Sequence, residues 1–208
     1  GGQLDIDDKA LRVLHNLSFV EDPTRVFRAV RFEQRLGFQT GKQTEHLLLS
    51  AVKLGLLERV SGKRIFNELL LIMNEHRPLP AISRLARLGV LQHLHPSLTS
   101  KVDYSKFFDE LRRALDWYEL LYTGRPCERW ICYFLVFTAE LDRSGIKVFC
   151  ERLQIMQRYR DLFNKQRTTA LAILARLEKR PDGARSPRSS SLYRWFQPLS
   201  TEILLFMM

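Results

Sequence analysis

Three cysteines in 208 residues are too few and too unpatterned for a disulfide framework. Cys127, Cys132 and Cys150 also lack the spacing of a zinc site, so they read as reduced thiols and place the chain in the cytoplasm. No apolar run reaches the ~18 residues that a membrane helix needs, so no membrane partner is expected, and the start of the chain carries no secretory leader pattern. Glycine is sparse, and none of the ten forms a Walker loop or a dinucleotide fingerprint. No Ser/His/Asp arrangement suggests acyl transfer. Strand patterning is nearly missing: only Ala10-Leu11-Arg12-Val13-Leu14 reads as a strand, and its backbone edges lack an evident partner. There is no internal repeat and no heptad series.

What the chain has in excess is positive charge. With 33 Lys and Arg against 23 Asp and Glu, the formal net charge is +10. Such an imbalance suits a polyanionic partner, because Lys and Arg contacts to phosphate supply most non-specific nucleic-acid affinity. A hydrophobic content of 45% is ordinary for a globular protein. The chain begins Gly1-Gly2 and stops at Leu204-Leu205-Phe206-Met207-Met208 inside an apolar pattern. Both ends read as cuts within a longer protein.

Periodicity predicts helices nearly throughout from residue 20. Asp22 suits an N-cap and Pro23 the first helical position, with Gly37 as the stop. Thr40-Gly41-Lys42-Gln43 reads as a capping box opening a helix to about Leu54. Ser61 precedes a third helix whose apolar face is Ile65, Leu69, Ile72 and Met73. Pro78 and Pro80 break the chain. Residues 103–123 predict a helix with Phe107, Leu111, Leu115, Tyr118 and Tyr122 inward. Further helices follow over Trp130 to Leu141 and Tyr159 to Leu177, and one from Leu192 runs to the end. The fold class is all-α: an irregular, elongated multi-helix array with a residual strand at its start. The expected organisation is residues 1–19 as a remnant of a preceding domain, 20–78 as a first helical unit, 79–178 as a helical body, 179–191 as a basic Pro/Ser/Gly-rich mobile loop and 192–208 as the start of a tail.

The most informative stretch is Glu21-Asp22-Pro23-Thr24-Arg25-Val26-Phe27-Arg28-Ala29-Val30-Arg31-Phe32, followed by Arg35-Leu36-Gly37-Phe38. Asp22 and Arg25 fall on one helix face, one turn apart. Arg28, Arg31 and Arg35 form a stripe bordered by apolar side chains, which suggests the lining of a groove. A carboxylate beside a guanidinium matches the edge of cytosine or adenine, each of which offers an amino donor beside a ring-nitrogen acceptor. Guanine and uracil present the opposite order. On the residues alone a second reading stays open, in which Asp22 is only a cap and Arg25 its ion-pair partner.

Residues Leu11-Arg12-Val13-Leu14, the block above, and Glu58-Arg59-Val60 with Arg64-Ile65-Phe66-Asn67-Glu68-Leu69 together resemble the bacterial class II tRNA nucleotidyltransferase and poly(A) polymerase family. The match is good over about residues 1–98 and rests on general helical character beyond. The resemblance implies that Asp22 and Arg25 pair with the base of an incoming CTP or ATP as a protein template. It places Arg28 near the nucleotide or RNA end, Arg31 and Arg35 on the neck or phosphates, and Glu21 as orienting the turn. Glu58, Arg59 and Glu68 would brace the base-reading helix. It further implies a neck, body and partial tail acting on the 3′ end of tRNA or another RNA. The family's chemistry uses two Mg²⁺-binding carboxylates on a head-domain sheet after a Gly-Ser turn. Asp5-Ile6-Asp7 has the D-x-D pattern without that context, so no catalytic or metal-ligating residue is expected here and the fragment alone should be inactive. Arg112, Arg113, Arg180, Arg185 and Arg188 are weak candidates for tRNA phosphates. A basic helical RNA-binding scaffold is the alternative from another class.

Overall fold

The computed structural model describes residues 2–98, 103–179 and 187–208. It is all-α apart from one minimal sheet. Among the described residues, no helix is long and apolar enough to cross a membrane. The chain divides into two compact units, Gly1–Asp103 with Glu151–Gln154, and Tyr104–Cys150 with Ile155–Met208. The first unit thus continues past the prolines at 78 and 80.

The first unit begins with helix α1 (Gly2–Asp7) and strand β1 (Ala10–Leu11). The strand is partnered within the chain, contrary to expectation: it pairs in parallel with β2 (Gln39–Thr40), in the register Ala10 to Gln39 and Leu11 to Thr40. Two residues per strand give no period-2 pattern, which is why β2 escaped notice. The short α2 (Ser18–Glu21) leads into α3 (Arg25–Leu36). Gly37, at φ 65°, ends α3 in the left-handed region where a Cβ is penalised.

Helix α4 (Lys42–Lys53) follows, with Gly41 at its cap position. Thr40 does not cap it, because the residue is committed to β2. A 3₁₀ turn over Leu56–Arg59 precedes α5 (Gly62–Met73), whose buried face is Ile65, Phe66, Leu69, Ile72 and Met73. Helix α6 (Leu79–Arg87) packs on α3. Arg84 of α6 pairs with Glu33 of α3 and Glu45 of α4, fixing three helices through one guanidinium.

The second unit is built around α8 (Arg129–Phe137). Every residue from Trp130 to Phe137 is buried, as expected for a helix apolar on all sides. Phe134 packs against Phe163 and Phe149 at ring separations of 4.9 and 5.5 Å, and Trp130 meets Tyr159 edge-on at 4.8 Å. Each such pair adds about 0.5–1.5 kcal/mol beyond its buried area. Helix α7 (Ser105–Leu120) turns Phe108, Leu111, Ala114 and Leu115 inward. Phe107 and Tyr122, expected on that face, are exposed: the register is set by Phe108, which stacks on Tyr133 at 5.3 Å.

Helix α9 (Arg143–Arg152) is followed by α10 (Gln157–Asp161), a π-helical turn over Leu162–Gln166, and α11 (Arg167–Glu178). The buried Arg167 donates from one Nη2 to the carbonyls of Thr138, Ala139 and Leu141, at 3.1, 2.9 and 2.7 Å. It thereby satisfies the C-terminal end of α8, where carbonyls lack intrahelical donors and a cation is favoured. Burial pulls its guanidinium below the ordinary value, though arginine stays charged in proteins. The single terminal helix expected from Leu192 is two, α12 (Ser189–Phe196) and α13 (Thr201–Phe206). Pro198 lies in the break, where its missing N–H and fixed φ interrupt a helix.

Candidate nucleotide-reading site

Helix α3 opens with a turn shaped by its own sequence. Asp22 is extended (φ −140°, ψ 92°), and its Oδ1 accepts from the Thr24 amide at 3.1 Å and the Thr24 hydroxyl at 2.6 Å. The Asp22 carboxylate thus caps the turn ahead of α3 while the regular helix starts at Arg25. The same Oδ1 accepts a third bond, from Nη2 of Arg64 at 2.8 Å. Oδ2 receives no bond from any described residue. Partial burial pushes the Asp22 carboxyl up, but the Thr24 donors and the Arg64 and Arg28 charges outweigh it and hold it below its ordinary value. The group is therefore an ionised, oriented acceptor with one oxygen free.

Arg25 does not pair with Asp22. Its Nη1 donates to the carbonyl of Ser18 at 3.2 Å and stands 3.9 Å from Glu21. Nε and Nη2 make no bond to a described residue, and the side chain is 40% exposed. Glu21 also lies 3.4 Å from His15, so it steadies Arg25 from behind. The acid and the guanidinium are thus held by separate sets of partners, each retaining an unused polar atom.

The arginine stripe behind them is not an open groove lining. Arg28 Nε donates to Oε1 of Glu68 at 2.8 Å. Glu68 is buried and its Oε2 has no partner, and the Arg28 guanidinium is raised, chiefly by this bond. Arg31 and Arg35 lie 3.4 and 4.0 Å from Glu75, just beyond α5. Val26, Phe27 and Val30 fill the core, whereas Phe32 and Leu36 are exposed. Two bridges of opposite sense therefore tie α3 and the turn ahead of it to α5: Asp22 to Arg64, and Arg28 to Glu68.

Arg64, quoted above only as part of the family motif, is the residue to which sequence reasoning gave no role. It stands one turn before Glu68 on the same face of α5, so the recognised Glu68 could have pointed to it. Glu58 faces His93 at 3.3 Å instead of α3, and Arg59 is exposed. Asp5 and Asp7 lie on α1, not on a strand, and Asp5 is bonded to Arg12 at 2.6 Å. These carboxylates do not fit a strand-borne Mg²⁺ pair. No group of three potential metal ligands forms among the described residues. In the second unit, Arg112 pairs with Asp116 and Asp109, while Arg113 and Arg188 are exposed. Arg180 and Arg185 lie outside the described residues, as does most of the basic loop.

The chain is similar to known proteins over its whole length. Residues 37–102 match the family described as "Probable RNA and SrmB-binding site of polymerase A". The whole chain is 42% identical to an A-adding tRNA nucleotidyltransferase of Geobacter sulfurreducens, spanning 24% of that protein. It is also similar in structure to the Thermotoga maritima CCA-adding enzyme complexed with tRNA-CCA, at TM-score 0.78 and 33% identity over 100% of this chain and 48% of that one. A tRNA nucleotidyltransferase complexed with a primer tRNA and an incoming ATP analog matches at TM-score 0.79 and 31% identity, over 100% of this chain and 59% of that one. Sequence and fold together place the chain in the tRNA nucleotidyltransferase and poly(A) polymerase family.

Proposed function

We propose that the chain is the base-reading and RNA-docking part of an enzyme that adds C and/or A nucleotides to the 3′ end of tRNA. The observation that carries this reading is the half-used pair at the start of α3. Asp22 Oδ1 is saturated by three donors while Oδ2 is free, and Arg25 keeps two nitrogens unbonded. A free carboxylate oxygen accepts the amino group of cytosine or adenine, and a free guanidinium N–H donates to the adjacent ring nitrogen. With guanine or uracil both protein groups meet their own kind. Each buried group left unpaired costs about 1–3 kcal/mol, so the pair supports rejection by roughly tenfold or more per contact.

The nucleotides are CTP and/or ATP, and the acceptor is the tRNA 3′ hydroxyl. The Mg²⁺ that such phosphoryl chemistry uses is held by a part of the protein outside this chain, because Asp5 and Asp7 do not suit it. The basic side chains of the helical body supply phosphate contacts to the acceptor arm. A poly(A) polymerase is a second reading, favoured by the family description over residues 37–102; its product would be a run of A without C.

The test is nucleotide incorporation by the full-length protein carrying Asp22→Ala or Arg25→Ala. Discrimination of CTP and ATP against GTP and UTP is expected to fall at least tenfold per variant, with the circular dichroism spectrum retained. A folded variant with unaltered selection would instead indicate a scaffold.

A further inference from the structure

In the second unit, the stretch leading into α8 brings two thiols together. Cys127 lies two residues ahead of the helix, in residues 123–128 that adopt no regular structure, and Cys132 lies on its first turn. Their Sγ atoms are 3.8 Å apart. Cys132 is fully buried, whereas Cys127 is part-exposed. A disulfide requires the sulfurs to close to about 2.05 Å. The irregular backbone around Cys127 can supply that movement, while Cys132 is fixed in the helix. Cys150, the third cysteine, is buried on α9.

The two thiols are also chemically unequal. The Cys127 thiol is lowered, first by the hydrogen bond with Cys132 and then by the Arg129 charge, against burial and the charges of Glu202 and Glu119. The Cys132 thiol is pushed far up by the same hydrogen bond and by burial. A lowered, accessible thiol is the one that supplies thiolate, and thiolate is the nucleophile.

We propose that Cys127 and Cys132 form an oxidisable dithiol site, with Cys127 as the peroxide-accessible thiol and Cys132 as its resolving partner. The Cys127 thiolate attacks one oxygen of hydrogen peroxide. The O–O bond breaks, hydroxide leaves, and Cys127 becomes a sulfenic acid. The Cys132 sulfur then attacks the Cys127 sulfur. The S–O bond breaks, and the departing hydroxide takes the Cys132 proton and leaves as water. In sum, two thiols and one peroxide give one disulfide and two waters, with two electrons passing from sulfur to oxygen. The change reaches α13, because the Cys132 sulfur lies 3.8 Å from the carbonyl of Glu202 and the Glu202 side chain in turn accepts from the Glu128 amide at 3.2 Å.

The reduced full-length protein is treated with hydrogen peroxide, alkylated and digested with trypsin. Cleavage after Arg129 separates the two cysteines, so a bridge joins two peptides that otherwise part. The expected product is the Cys127–Cys132 linked pair, lighter by two hydrogens and reversed by dithiothreitol. In Cys132→Ser, the sulfenic acid at Cys127 should persist and be trapped by a 1,3-dione probe. The wild-type peptide map decides the matter even if that variant fails to fold. Full alkylation of both thiols after peroxide, a bridge to Cys150, or a Cys127 sulfenic acid that accumulates in the wild type without linking would each overturn the proposal.

Discussion

The two units hold short helices together with different balances of contacts. In the first, ion pairs join the helices and the turns at their ends: Asp22 to Arg64, Arg28 to Glu68, Arg31 to Glu75, and Arg84 to both Glu33 and Glu45. In the second, rings pack around α8, Arg129 of α8 pairs with Asp116 and Glu119 of α7, and a buried guanidinium closes the helix end through backbone carbonyls. The pairs with a half-exposed arginine, at Arg28 and Arg64, contribute little stability, but they fix angles and leave donors and acceptors at stated positions. Aromatic packing contributes more and specifies less. The unit that carries the candidate site is thus the one richer in ion pairs between its elements.

This contrast can be broken at its strong end first. Phe134→Ala, in the middle of the ring cluster, should lower stability by about 3–5 kcal/mol, read as a fall in the urea midpoint. Arg167→Met should cost about 2–3 kcal/mol, because it keeps the buried volume but strips a charged donor from three carbonyls. Arg64→Ala should cost less than about 1 kcal/mol, since its side chain is 53% exposed. In the full-length protein the same change should nevertheless weaken base selection roughly tenfold, because Asp22 loses an orienting donor.

The Asp22 bridge also has a pH signature. A carboxyl lowered in the folded state stabilises it fully above the ordinary value of 3.8, and that contribution disappears as pH falls through the lowered value. Subtracting the stability profile of Asp22→Asn from that of the wild type should therefore leave a difference that is constant at neutral pH and shrinks only as the pH falls through the acid range.

Local signals carried much of the first unit. The capping chemistry of Asp22, the stop at Gly37 and the inward face of α5 all arise within a few residues of one another, so they were legible as sequence. The partner of Asp22 lies 42 residues away, and nothing local to α3 names it. The β1–β2 pair was hidden for the same reason. The inward face of α7 was misjudged because Phe107 and Phe108 are neighbours, and only the stack on Tyr133 decides between them. Pro198 did signal the break between α12 and α13, and an apolar run on both sides masked it.

The π turn over Leu162–Gln166 ends where Arg167 begins. Adding or removing one residue in a helix swings everything after it by about 100°. That single wide coil therefore acts as the phase setting of α11. Trimming one residue from it would rotate the guanidinium away from Thr138, Ala139 and Leu141 while leaving every amino acid of α11 unchanged.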